Sequence, residues 1–360
     1  MNFGQLGWVD AIGFAVSLLL DIPTGAFADI FGKRITLILS NIFTGLGILI
    51  IAFANNLTGI FIGNLISQIG WAMYSGASDA ITYDSLLNLK KEDMFAYVSA
   101  RANQYMSYAA AFGYFIGGFL YTIYWRLPSI AWGLSYVPAI ICSFLLVEPT
   151  IHSEHFSARE YIKKISLGIQ ELLLPQLRKY ILLMFILLGV YFLYAWGFVR
   201  PAIATSFGFY AKEQSIILPI LTLSSAFLLQ YLPIIRKKIS GFVGLTLLAS
   251  IMAMGFFISA FPIGYWGIIP MFFIILAGKF GTPWISIIVN KEISSRYRAT
   301  TLSTLSLLSK VPYVFVAMLI GSALDKNLLS EFCLLLAGVI FAITIISGGL
   351  YLRAKQTQIV

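Results

Sequence analysis

The chain has 360 residues, 59% of them hydrophobic and 11% charged, with a mean hydropathy of +0.88. A soluble domain carries about 25% charged residues, so a water-soluble fold is excluded. The net charge of +9 does not point to nucleic acid, because the cations sit in short connections between apolar runs and not on one basic face.

A bilayer core needs about 20 apolar residues per helix. Its backbone polar groups must be paired within the segment, and strand-like alternation is absent, so helices are expected. The apolar runs predict eleven spans, near 6–29, 35–54, 57–84, 95–121, 128–147, 179–200, 212–234, 240–260, 264–289, 300–323 and 330–352. Met1–Gln5 carries no cation and the first run leads straight into a charged turn, which argues against a secretory signal. Pro23, Pro138, Pro219, Pro283 and Pro312 fall inside spans, where neighbouring helices can satisfy the freed carbonyls. Cys142 and Cys333 also lie in spans, so no disulfide framework is expected. His152 and His155 share one polar loop without further ligands, too few for a structural metal.

Cations are unevenly placed. Eighteen of the 24 Lys and Arg fall in alternate connections or the C-terminal tail, among them Lys33-Arg34, Lys90-Lys91, Lys163-Lys164 and Arg236-Lys237-Lys238. The opposite connections hold only Arg126, Arg200, Lys212 and Lys326. This asymmetry places the first set, and the C-terminus, in the cytoplasm. The long polar segment 148–178 is partly amphipathic through Tyr161, Ile162, Ile165, Ile169, Leu172 and Leu173, and suits a helix along the membrane surface. It divides the chain into a five-span bundle (1–147), a cytoplasmic linker (148–178) and a six-span bundle (179–360). The basic turn follows the first span of one half and the second span of the other. Internal duplication of this kind is a common plan of secondary transporters.

Four segments carry a resemblance. Gly25, Asp29, Gly32, Lys33 and Arg34 resemble the signature loop of the major facilitator superfamily between its second and third helices. Tyr83-Asp84-Ser85-Leu86 would then end the family's fourth helix. Gly113 with Gly117-Gly118 resembles a weak form of the antiporter glycine motif, without its proline. Asn290, then Arg298-Ala299-Thr300 and Leu302-Ser303, resembles the entry to the eleventh helix. The resemblance covers essentially the whole chain. It departs at Ile30, where the family usually has a cation, and at Asn64 and Gln68, in a helix that often carries arginine. It implies an all-α membrane fold of two helix bundles, about 11 helices (5 + 6), lacking the family's first helix as written. It also implies transport by alternating access.

The resemblance assigns Gly25, Asp29, Gly32, Lys33, Arg34, Asp84 and Arg101 to an inner gate, a charge relay between helix ends. A plain anchoring role for these charges is the alternative, with surface pairs contributing ~0–1 kcal/mol. For a substrate cavity, Ser303, Ser306, Lys310 and Tyr313 share one helix face, and a cation at bilayer mid-depth costs at least ~2.5–3.5 kcal/mol unless it faces a cavity or a partner. Gln104 and Tyr108, on a stripe with Tyr97 and Arg101, and Gln68 lie at similar depth. An interhelical lock is the alternative there. Asp21 is the acid nearest mid-depth, open either to proton coupling or to pairing with Arg101 or Lys279.

These residues lead to a secondary carrier without cofactor. Its expected partners are a small-molecule substrate, the lipid bilayer and, for coupling, protons. It is expected to be a monomer in the plasma membrane, and no nucleic acid is expected. Efflux of a small hydrophobic or amphipathic compound comes first, and uptake of a polar or anionic metabolite second. A non-transporting membrane protein is the other class. An enzyme is not expected: no His-Glu-x-x-His motif, nucleophile–base pair or phosphate-cradling loop occurs.

Overall fold

The computed structural model describes residues 1–149, 158–293 and 298–356. His152, His155 and Arg296 lie outside them. Among the described residues there is no strand, and no group of three or more His, Cys, Asp or Glu is placed to hold a metal ion. Both cysteines are free.

The helices are α1 (Phe3–Phe31), α2 (Lys33–Phe53), α3 (Leu57–Asn88), α4 (Phe95–Ile123), α5 (Leu127–Leu134), α6 (Tyr136–Phe144), α7 (Ala158–Leu172), α8 (Pro175–Arg178), α9 (Ile181–Trp196), α10 (Val199–Ser206), α11 (Ala211–Leu228), α12 (Leu232–Lys238), α13 (Gly241–Ser259), α14 (Ile268–Glu292), α15 (Arg298–Asp325) and α16 (Leu329–Gln356). Nine stretches among them are long and apolar enough to cross a bilayer, and α9 with α10, bent by 67°, makes a tenth. The eleventh expected span is α3, which at 32 residues is long enough to cross but dilutes its apolar run with Asn64, Ser67, Gln68, Ser75, Ser78 and Asp79.

Apolar continuity does not reveal where a helix breaks. Two expected spans are interrupted, one at Ser135 between α5 and α6 and one at Gly197 between α9 and α10. Each break is followed by a proline in the next first turn, Pro138 and Pro201. There the missing N–H would be unpaired anyway. Pro23, Pro219, Pro283 and Pro312 instead stay inside α1, α11, α14 and α15.

The chain clusters into two compact units, Trp8–Ile162 and Lys163–Val360, the second including Asn2–Gly7. In the first unit, α2 and α3 pack through small residues: a Cβ on Gly47 would lie 2.5 Å from the Gly63 carbonyl, and Ser40 donates to the Gly70 carbonyl at 2.8 Å. Helices in lipid gain little from apolar contact as such, so close backbone approach and polar bonds supply the attraction. Ala28, Leu37, Ala77 and Ile81 join α1, α2 and α3 in one buried cluster. In the second unit, Leu183, Leu187, Leu245, Met252, Met271 and Ile274 form the buried centre of α9, α13 and α14. Asp325, at the end of α15, accepts from the N–H groups of Phe3 and Gly4, each at 2.7 Å.

Candidate gating and substrate residues

The first unit builds a polar junction where α1 turns into α2. Gly32 has φ +94° and ψ 147°, a conformation that a side chain makes costly. The turn brings Lys33 to the start of α2 and its ammonium onto the Asp84 carboxylate, near the end of α3. Both are buried, at 3% and 0% exposure. Glu148 closes the junction from beyond α6. Its two carboxylate oxygens accept from the backbone N–H of Lys33 and of Arg34, each at 2.7 Å. A carboxylate on the free N–H groups of a helix start is favoured both by hydrogen bonding and by the helix dipole. Arg34 Nη2 donates to the Phe144 carbonyl at 2.6 Å. Asp84 keeps one oxygen, Oδ1, buried without a hydrogen-bond partner.

Of the seven gate residues expected from the sequence, Gly32, Lys33, Arg34 and Asp84 meet at this junction. Gly25 is buried in the penultimate turns of α1, and Asp29 is half-buried in its last turn. Arg101 is exposed on α4. Its guanidinium donates to Gln104 Oε1 at 3.0 Å and to the Tyr97 hydroxyl at 3.3 Å, and lies over the Tyr97 ring. Gln104 donates in turn to the Tyr108 hydroxyl at 2.8 Å. The expected stripe Tyr97–Arg101–Gln104–Tyr108 is thus one exposed ladder along α4. Glu148 was not foreseen; its bonding partners lie 115 and 114 residues earlier in the chain.

A second polar seam joins α1 to α3. Ser75 donates to Asp21 Oδ1 at 2.7 Å, and Thr24 donates to the Ala72 carbonyl at 3.1 Å. Gln68 is buried and its side chain packs by Gly13. Asn64 presents a buried oxygen without a partner. One partner of Asp21 is therefore a hydroxyl on the neighbouring helix.

In the second unit, Lys310 lies half-buried in α15, twelve residues or ~18 Å from its start. Its ammonium is 5.6 Å from the centre of the Phe192 ring. Phe192 stacks on Trp196 and meets Tyr313 edge-on at 5.2 Å, and Tyr313 is buried beside Gly197 at the α9–α10 bend. A cation over an aromatic face gains ~0.5–2 kcal/mol, more where water is excluded. Ser306 is half-buried and Ser303 exposed on the same helix. Of the aromatic residues of α9, Phe192 lies against the Lys310 ammonium and Trp196 stacks on Phe192.

A family model described as Major Facilitator Superfamily matches residues 1–317. No curated protein sequence matches the chain. Among solved structures it is similar to the nucleoside transporter NupG (TM-score 0.77, 12% identity, covering 98% of this chain and 91% of that one). It is also similar to a peptide transporter POT (TM-score 0.72, 12% identity, 98% and 86%) and to a POT family transporter in complex with 5-aminolevulinic acid (TM-score 0.65, 13% identity, 98% and 89%). At such identities the likeness speaks for the fold. With the family model spanning most of its length, the chain belongs to the Major Facilitator Superfamily.

Proposed function

We propose that the chain is a secondary carrier in the plasma membrane, with its C-terminus in the cytoplasm, that exports a small amphipathic compound by alternating access. The observation that carries this reading is Lys310 within the aromatic group Phe192, Trp196 and Tyr313. An apolar surface with one cation at mid-depth suits a compound with an apolar body and an anionic or hydrogen-bond-accepting group. Ser303 and Ser306 are proposed as further substrate residues of the second unit, and Gln68, Gln104 and Tyr108 as those of the first.

The junction of Lys33, Asp84 and Glu148 serves as the inner gate. A pair that is buried yet leaves Asp84 Oδ1 unpartnered is incompletely satisfied. A second arrangement that fills that oxygen would differ by a few kcal/mol, enough to shift a two-state equilibrium. Asp21 is the group assigned to proton coupling, with Ser75 holding one of its oxygens.

The test uses the purified monomer in proteoliposomes with a panel of fluorescent amphipathic compounds, with and without a pH gradient. Lys310→Gln should weaken apparent affinity for the transported compound by roughly 10- to 100-fold, as expected when a charged hydrogen bond is lost, and Lys310→Arg should recover much of it. Equal affinities in all three proteins reject the substrate role of Lys310. Asp21→Asn should remove the response to the gradient without preventing insertion. For orientation, cysteines placed at Lys163 and at Lys237 should label from the same face. A second reading, import of a polar anionic metabolite, is favoured by the exposed Arg101–Gln104–Tyr108 ladder. Right-side-out and inverted vesicles separate the two by the direction of net flux.

A further inference from the structure

The second unit holds a cavity of about 400 Å³ between α11, α12, α13 and α14, away from Lys310. Leu228, Ile235, Leu247, Ile251, Leu276 and Trp284 give most of its wall. The lining is almost wholly apolar. The indole N–H of Trp284 is taken by the Gly241 carbonyl at 3.1 Å, so it offers nothing to a polar guest. Such a wall suits hydrocarbon and not a metabolite.

The chain passes from this cavity straight into a cluster of charge. Ile235 and Ile239, both lining residues, flank Arg236-Lys237-Lys238 in the last turn of α12. The Arg236 guanidinium lies 4.8 Å from the centre of the Trp284 ring, which itself faces the cavity. Its Nε is buried without a hydrogen-bond partner, and Lys237 and Lys238 are exposed. Glu292, Tyr351 and Arg236 share the neighbourhood of Tyr180. Among the described residues, no ion pair joins Glu292 to Arg236. On the wall of the cavity Tyr231 and Leu247 are exposed, so the groove opens on the unit's surface.

We propose that this groove is a binding site for an anionic phospholipid, one acyl chain lying in the cavity and the phosphate on Arg236, Lys237 and Lys238. A lipid tail gains no hydrophobic energy by moving from the bilayer into the groove, because the tails around it are as apolar as leucine. Selectivity therefore comes from the head group. Clustered cations at the membrane boundary attract anionic lipids, and basic pockets between spanning helices hold their head groups. The groove supplies the second component, a fixed place for the chain, which exposed cations alone lack. The site stands independently of the transport reading.

The full chain is purified in mild detergent, exposed to equal amounts of phosphatidylglycerol and phosphatidylcholine, and its lipid adducts are read by native mass spectrometry. The wild type should retain phosphatidylglycerol in roughly tenfold preference, in keeping with cations each favouring the anionic lipid. Arg236→Gln with Lys237→Gln and Lys238→Gln should abolish the preference. The single change Lys237→Glu, at an exposed position, should lower it even if the triple variant folds poorly. Leu247→Trp narrows the groove and leaves the cations in place; it should cut phosphatidylglycerol occupancy severalfold. Equal retention of the two lipids by the wild type overturns the site. A preference that survives Leu247→Trp unchanged overturns the groove as the seat of the chain, and competition by glycerophosphoglycerol, which has no acyl chains, does the same.

Discussion

Each unit contains a basic turn between consecutive helices, and the two turns are chemically opposite. In the first, Lys33 is buried on Asp84, two backbone N–H groups are held by Glu148, and Arg34 reaches the Phe144 carbonyl. In the second, α13 is capped locally by Ser240 on the Val243 N–H, Arg236 rests on Trp284, and two lysines point to the exterior. In the proposed orientation both turns put their cations on the cytoplasmic side. Only the first converts its cations into an internal network. A network with internal partners can exist in two states and so can gate. A turn whose lysines are exposed stays available to something outside the protein.

The comparison breaks most sharply at Asp84. Asp84→Ala leaves the Lys33 ammonium buried without its counter-charge, which typically costs ~3–5 kcal/mol. The expected result is a large fall in thermal midpoint in detergent. Replacing both partners, Lys33→Met with Asp84→Leu, should restore most of the stability, since a buried pair can often be exchanged for apolar residues of similar volume. Transport should not return with it if the pair is a gate. A double variant that is both stable and fully active would reduce the pair to a structural relic. Removing Lys237 and Lys238 in the other turn should change the stability by less than ~0.5 kcal/mol, as for exposed positions in general.

Gly32 comes next. Its backbone lies where side chains are strained by ~1–3 kcal/mol, and a Cβ there would also approach the Glu148 carboxylate at 3.0 Å. Gly32→Ala should destabilise the first unit by about that amount, measured by thermal unfolding. Nothing at the α12–α13 turn requires a positive φ: Ile239 is extended at φ −120° and Ser240 at φ −64°. Ile239→Ala should therefore show only the loss of one half-buried side chain.

Much of the first turn was legible in the sequence. A glycine between an apolar run and two cations announces a tight connection, and Asp84 at a span end announces a carboxylate near the same boundary. The partner of Lys33 could be guessed because boundary acids are few. Glu148 could not, because nothing local marks a carboxylate whose donors lie more than a hundred residues away. Arg101, which the resemblance assigns to the gate, has partners that helical spacing does mark: Tyr97 and Gln104 lie on its own face, and its guanidinium donates to both. The breaks at Ser135 and Gly197 were hidden for a different reason. Hydropathy counts side chains, whereas Pro138 and Pro201 act on the backbone of the preceding turn.

Effects of a smaller order than that at Asp84 are expected in the helix caps, where the two turns can be compared one for one. Ser240 offers one hydroxyl to one N–H at 3.3 Å, and Ser240→Ala should cost ~0.5–1 kcal/mol. Glu148 holds two N–H groups with an ionised carboxylate, so Glu148→Gln, which keeps the shape but drops the charge, should cost somewhat more, ~1–2 kcal/mol. The informative quantity is the transport rate at matched stability. Ser240 caps a helix with no part in the proposed gate, and its variant should carry substrate at the wild-type rate. Glu148 touches the backbone of Lys33 itself, so loosening it should change how readily Lys33 leaves Asp84 and shift the rate severalfold. If both cap variants transport like the wild type, the junction at Gly32 is a fastener for the first unit, and the moving part lies elsewhere in the chain.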